Sequence, residues 1–198
     1  LPQNPHHRFD VWEHTLAVVD GVPPEPVLRW AALLHDVAKG LPGVRCLNHR
    51  GELADHGHDR VGAEMAGKML ARLCVRPDVA YRVAWLVREH MSVPRDAGEQ
   101  GGRTVRKWLI RLSGDFRTRE EMKEAVRQLL ALRRADRLAG KVDPDLERLE
   151  AVAGTAERVL AGMPFFAADL AVSGGDAVAA GLSGPEVGRT LEILLRRV

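Results

Sequence analysis

Apolar residues recur along this chain at intervals of three and four, the spacing that turns one face of a helix toward a core. Asp10 suits an N-cap for a helix over Val11–Asp20, closed by Gly21 and the Pro23-Pro24 break. A second helix fits Pro26 to about Ala38, with proline in its first turn and Gly40 just past its end. The segment Gly40–Gly57 mixes Gly, Pro, Asn and His without periodicity and reads as a loop. Further helices are predicted from about His58 to Leu73, from Pro77 to His90 and from Thr104 to Leu112. Thr118 followed by Glu121 forms a capping-box pattern ahead of a long helix ending near Gly140. Pro144–Gly162 reads as one more helix, and a glycine-rich stretch then leads to a last one over Glu186–Val198. Leu1–Arg8, with two prolines and a His pair, reads as an extended lead-in, and Ser92–Gly102 as irregular. No alternating segment is long enough for a sheet, so the expected class is all-α.

Six ionisable residues interrupt these apolar stripes. His14 lies between Val11 and Val18, and His35 follows Leu28, Ala31 and Ala32 on one face. Asp36 stacks over Ala32 and Leu33, His58 starts the stripe Val61–Met65, His90 ends the stripe Val83–Leu86–Val87, and Asp136 sits on Leu129, Leu132 and Ala139. Burying an unpaired carboxylate costs several kcal/mol, so inward-facing Asp36 and Asp136 need a cation or several hydrogen bonds. Each residue taken alone has a plainer reading: a histidine on an apolar face can be a hydrogen-bonded core residue, and Asp136 can pair with Arg133 or Arg137 one turn away. Taken together, His14, His35, Asp36 and Asp136 are expected to hold one divalent ion. Two imidazoles and two carboxylates suit Mn, Fe, Co, Ni or Mg, with zinc possible. Should His58 and His90 also turn inward, Asp36 would bridge to a second ion.

Composition narrows the setting. At 198 residues and 45% hydrophobic content the chain can bury one substantial core, with or without a small appended subdomain. The apolar runs fall short of the roughly 20 residues that span a bilayer. Residues 1–20 lack the basic start and apolar block of a secretory signal, so a cytoplasmic, membrane-free protein is expected. Two cysteines, Cys46 and Cys74, with no CxxC spacing point away from a disulfide framework and a thiolate metal site. A net charge of +2 argues against indiscriminate nucleic-acid binding. Arg103–Lys141 nevertheless carries 12 Lys or Arg against 5 Asp or Glu, a local excess that can face phosphates or simply be a solvated surface.

His14, then His35-Asp36 with Lys39 three residues on, then a distant Asp136, resembles the HD-domain superfamily of metal phosphohydrolases. The strings QNPHHRFDVWEHTL, AALLHDVAKG, HGHDRVGAE, RVAWLVREHM and LRRADRLAG are similar to the HD region of bacterial tRNA nucleotidyltransferases and poly(A) polymerases. The tail from Asp169 to Val198 is similar to the C-terminal segment of the same enzymes. The resemblance implies an HD helical bundle over residues 1–142 and a small helical extension over 143–198. It covers nearly the whole chain, yet the 198 residues hold no Gly-rich phosphate loop with paired metal-binding Asp, so nucleotide addition by this chain alone is not expected.

The resemblance implies hydrolysis of phosphoesters on nucleotides or RNA ends, including 2′,3′-cyclic phosphates, where the HD ligands are intact. In that reading Asp36 and Lys39 are the catalytic candidates: the ion activates a water, and Lys39 meets the developing phosphate charge, although a lysine there also complements the helix dipole. Arg60, beside His58 and Asp59, is a candidate phosphate contact, and a surface arginine in the plainer reading. The competing class is a non-catalytic module that braces RNA or tRNA through the basic helices of Arg103–Lys141 and the N-terminus of the helix at Glu186. Aromatics make up 5% of the chain, so backbone contacts rather than base stacking would carry such binding. Oligomeric state is not readable from the sequence.

Overall fold

Residues 9–97, 102–140 and 146–197 are described by the structure, a computed structural model. The lead-in over Leu1–Arg8 and the expected helix start at Pro144 lie outside the described residues. The elements are α1 (Val11–Gly21), α2 (Pro26–Leu34), β1 (Arg45–Leu47), β2 (Leu53–Asp55), α3 (His58–Arg72), α4 (Pro77–Glu89), α5 (Arg103–Ser113), α6 (Arg119–Gly140), α7 (Leu146–Gly162), α8 (Gly174–Ala179) and α9 (Pro185–Arg197), with a 3-10 turn at Ala167–Asp169. The all-α class is as expected. No helix among the described residues is long and apolar enough to cross a membrane.

Local chemistry sets the helix starts. Asp10 accepts a hydrogen bond from the Glu13 amide at 2.9 Å while the Glu13 carboxylate accepts from the Asp10 amide, a reciprocal cap on α1. α2 and α4 both open on proline, whose fixed φ fits a first turn. Thr118 Oγ1 accepts from the Glu121 amide at 3.2 Å, but the Glu121 carboxylate reaches the amide of Arg117, one residue before the expected partner.

Two differences from the sequence reading concern the segment between α2 and α3. The helix expected to reach Ala38 stops at Leu34, and the chain continues in tight turns, with the Val37 amide on the Leu34 carbonyl at 3.1 Å and the Lys39 amide on the Asp36 carbonyl at 2.9 Å. The ring of His35 takes the Ala32 carbonyl at this point, a main-chain acceptor left over by the end of the helix. The expected loop Gly40–Gly57 contains an antiparallel ribbon in the register Arg45↔Asp55, Cys46↔Ala54 and Leu47↔Leu53. Its strands are three residues long, too short for an alternating pattern to stand out. Asn48 closes the turn by accepting from the amides of Arg50 and Glu52.

The described residues form two compact units, Leu1–Val93 with Ala125–Leu149 and Pro94–Glu124 with Glu150–Val198. Pro94–Glu124, which a linear division at residue 142 groups with the helices bearing His14, His58 and His90, falls in the same compact unit as Glu150–Val198. In the first unit α1 packs on α2, α2 on α4 and α3 on α4. Val18, Leu28, Ala31, Ala32, Leu70, Val83, Leu86, Val87, Leu129 and Leu132 are buried there. In the second unit Val105, Trp108, Leu109 and Leu112 of α5 and Val152, Ala156 and Leu160 of α7 are buried. Arg119 donates to the carbonyls of Leu160 (2.6 Å) and Met163 (2.8 Å), closing the end of α7, and pairs with Asp169 at 3.1 Å. No residue of α8, or of α9 through Leu195, is fully buried.

Gly62 sets how closely α3 approaches α4. A Cβ at that position would stand 3.3 Å from Val87 Cγ1 and 3.7 Å from Ala38 Cβ, so nothing larger than a methyl group fits without separating the helices. Gly62→Leu is expected to lower stability by about 1–3 kcal/mol through overpacking, measured as a reduced urea midpoint at unchanged m-value.

Candidate metal centre

The six candidate side chains come from five stretches of the first unit, His35 and Asp36 sharing one. His14 is the fourth residue of α1, and His35 and Asp36 follow the last residue of α2. His58 is the first residue of α3, His90 directly follows α4, and Asp136 lies one turn before the end of α6. His14, His35, Asp36, His58 and His90 are all buried, and the Asp136 side chain keeps 15% of its exposure. Glycine in the left-handed region at Gly57, φ 73°, makes the turn into α3 that folds the His58 ring back over the chain before it.

Three imidazoles are locked in one tautomer by the same device. Nδ1 of His35 lies 2.7 Å from the Ala32 carbonyl oxygen, Nδ1 of His58 2.7 Å from that of Asp55, and Nδ1 of His90 2.6 Å from that of Val87. A carbonyl can only accept, so each Nδ1 carries the proton, and in the neutral ring each Nε2 presents a lone pair. Those lone pairs converge. His58 Nε2 and His90 Nε2 are 3.2 Å apart, as are His14 Nε2 and His35 Nε2.

The acids complete two groups. His14, His35 and Asp136 form one and Asp36, His58 and His90 the other, the three donor atoms of each lying within 4.8 Å of one another. Asp136 Oδ1 stands 3.2 Å from His14 Nε2 and 4.0 Å from His35 Nε2. Asp36 faces both groups, with Oδ2 3.1 Å from His35 Nε2 and 3.6 Å from His14 Nε2, and Oδ1 3.4 Å from His58 Nε2 and 3.9 Å from His90 Nε2. Donors bound to a first-row divalent ion at about 2.1 Å stand about 3 Å apart at neighbouring octahedral corners. The donor set and its spacings therefore fit a divalent cation in each group, and the locked imidazoles show the carbonyl partners usual for histidine ligands.

Cationic side chains border both acids. Lys39 Nζ is 2.7 Å from Asp36 Oδ2, and the Arg133 guanidinium holds Asp136 Oδ2, so that only Oδ1 of Asp136 faces the imidazoles. The Arg133–Asp136 pairing anticipated as the plainer reading is thus present together with the inward-facing oxygen. Burial alone would raise the Asp36 carboxyl, but His35 and Lys39 outweigh it and hold the group well below the usual carboxylate range. For Asp136, burial is likewise overcome by the His14 hydrogen bond and the Arg133 charge, and its carboxyl is also lowered. Burial disfavours a charged His35, yet Asp36 and Asp136 outweigh it and raise that ring above its ordinary value. His90 goes the other way, pushed down to about 4 by burial and by His35.

Among the other sequence candidates, Arg60 is exposed on α3 and makes no contact with either group among the described residues, and Asp59 is half-buried beside His58. Sequence reasoning missed Asp55, whose carboxylate accepts from the Gly40 amide and from Arg45 while its carbonyl orients His58. Its one visible sign was a position three residues ahead of a candidate histidine.

A family model described as "HD domain" matches residues 6–141. The chain is 35% identical over 207 residues to the A-adding tRNA nucleotidyltransferase of Deinococcus radiodurans, a match covering 98% of this chain and 44% of that protein. It is 36% identical over 202 residues to the CC-adding tRNA nucleotidyltransferase of Thermus thermophilus, covering 98% and 42%. A bifunctional uridylyltransferase/uridylyl-removing enzyme of Rhodospirillum rubrum is 33% identical over 57% of this chain and 10% of that protein. The chain spans less than half the length of these curated relatives. The match over 6–141 takes in every residue of the two donor groups, and the chain belongs to the HD domain family.

Proposed function

We propose that this chain is a metal-dependent phosphohydrolase acting on nucleotides or RNA ends such as 2′,3′-cyclic phosphates. The observation that carries the reading is the pair His58–His90: both rings spend their Nδ1 protons on carbonyls, so two lone pairs face each other across 3.2 Å in a buried site. Such an arrangement is repulsive until a cation stands between the donors. His14, His35 and Asp136 would hold one ion, Asp36, His58 and His90 a second, and the Asp36 carboxylate would bridge them. Mn, Fe, Co, Ni and Mg suit these donors, and zinc is compatible.

A divalent cation held there supplies Lewis acidity toward a phosphoryl oxygen and toward the attacking water. The chain's own residues supply the rest. Helices α1, α2 and α4 exclude bulk water from the imidazoles, which strengthens every charge interaction inside. Solvent reaches the cluster beside Asp136, Lys39 and Arg133, whose side chains keep partial exposure. A phosphate entering there meets the Lys39 ammonium beside Asp36, a group placed to take up charge as it develops. Asp36 and Asp136 stay anionic throughout, held so by His35, Lys39, His14 and Arg133.

A second reading, an RNA-bracing module without turnover, is supported by the similarity to tRNA nucleotidyltransferases and by α5. That helix exposes Arg103, Arg106, Lys107 and Arg111 and contains no acidic residue. RNA binding with a steep salt dependence, and no hydrolysis with any added divalent ion, would favour it.

Asp36→Ala is expected to remove bound metal, read by elemental analysis, and to abolish hydrolysis of a 2′,3′-cyclic nucleotide while the far-ultraviolet circular dichroism of the helices is retained. An unchanged rate in that variant rules the mechanism out. Acidity should release the ion at the His14 group. His35, raised above its ordinary 6.5, takes a proton as the pH falls through that region and competes with the ion, whereas His90, at about 4, stays neutral and keeps its lone pair. Titration of Mn²⁺ binding from about pH 8 to about pH 5 should therefore show affinity falling on acidification, with the protons taken up at His35 rather than His90 in a histidine-resolved NMR titration.

A further inference from the structure

The ribbon between α2 and α3 joins the segment bearing Asp36 and Lys39 to the helix bearing His58, and one residue touches both. Asp55 Oδ1 accepts from the Gly40 amide at 2.8 Å, one residue beyond Lys39. The same carboxylate accepts from Arg45 Nε at 3.0 Å and, through Oδ2, from Arg45 Nη2 at 2.9 Å. Arg45 and Asp55 form the rung of the ribbon nearest Gly40 and His58. The Asp55 carbonyl, in turn, accepts the Nδ1 proton of His58 at 2.7 Å.

We infer that Asp55 is a positioning residue for His58: its carboxylate anchors the end of β2 to Gly40 and Arg45, and its carbonyl then fixes the tautomer and direction of the His58 ring. The inference rests on the proposed metal site and assigns to this one residue the distance between the segment following α2 and the first residue of α3. His58 has no neighbouring turn of helix ahead of it to supply an acceptor. His35 and His90 sit at helix ends and take the carbonyls of Ala32 and Val87 from their own helices, whereas His58 opens its helix and depends on a carbonyl from the strand before it. The orientation of His58 is therefore set by the ribbon, and the ribbon's end is held by the Asp55 side chain. Removing that side chain should leave the His14–His35–Asp136 group intact and weaken the Asp36–His58–His90 group.

The test uses the full chain with Asp55→Ala and the near-isosteric Asp55→Asn. In the ion-free protein, the imidazole nitrogen shifts of His58 should report the Nδ1-protonated tautomer in the wild type, a mixture in Asp55→Ala and an intermediate state in Asp55→Asn, with the shifts of His35 and His90 unmoved. In Mn²⁺ titrations the wild type should take up two ions. Asp55→Ala should lose at least about tenfold in affinity for the second while keeping the first, and Asp55→Asn should recover part of the loss. An unchanged His58 tautomer in Asp55→Ala overturns the inference, as does equal weakening of both ions with that tautomer intact. If the wild type binds a single ion, the two-ion reading fails instead, and the tautomer measurement still decides the role of Asp55.

Discussion

Facing lone pairs are the constraint around which the ligand-bearing unit is arranged. Four imidazoles and two carboxylates share one buried region, and at least three of the rings cannot turn a proton toward their neighbours because a carbonyl already holds it. Hydrogen bonding relieves this only in part: His14 bonds Asp136, while in the neutral rings the Nε2 atoms of His58 and His90 have no proton to offer each other. Positive charge has to enter. Lys39 and Arg133 bring some of it, each to one carboxylate oxygen of the cluster. The Nε2 atoms of His58 and His90, like those of His14 and His35, remain 3.2 Å apart.

Packing is what makes so unfavourable a cluster tolerable. α3 lies against α4 at Gly62, and this close contact brings the start of one helix toward the end of the other, where His58 and His90 stand. α6 closes on α1 near Gly21 and Ala135, which sets Asp136 beside His14. Each contact is apolar. The helices are pressed together by burial of Leu28, Leu86, Leu129 and their neighbours, and the polar groups are carried inward at a cost that burial alone would not allow for isolated charges.

The six residues of the cluster were legible because each breaks a stripe of apolar positions, and a stripe can be counted along a chain. The helices bearing them were legible for the same reason, to within a residue or a few at most ends. The early stop of α2 was not, since it coincides with a ring nitrogen bonding its own main chain, an event without periodicity. Neither was the ribbon, whose strands hold three residues each. Asp55 escaped notice because half of its part is played by a carbonyl oxygen, which every residue has. The association of Pro94–Glu124 with Glu150–Val198 was hidden similarly: Arg119 finds its acceptors on main-chain atoms more than forty residues away, and no pattern of side-chain types announces them.

The candidate donors differ in how they are mounted. His14 and Asp136 project from within α1 and α6, where moving a side chain means moving a packed rod. His35, His58 and His90 hang from helix termini, where a change of a few dihedral angles suffices. Two donors of the cluster are thus mounted on rails, and the other four, Asp36 among them, near hinges. Occupancy would stiffen three helix ends at once, and slower amide exchange at those ends, with little change along α6, would be its dynamic imprint.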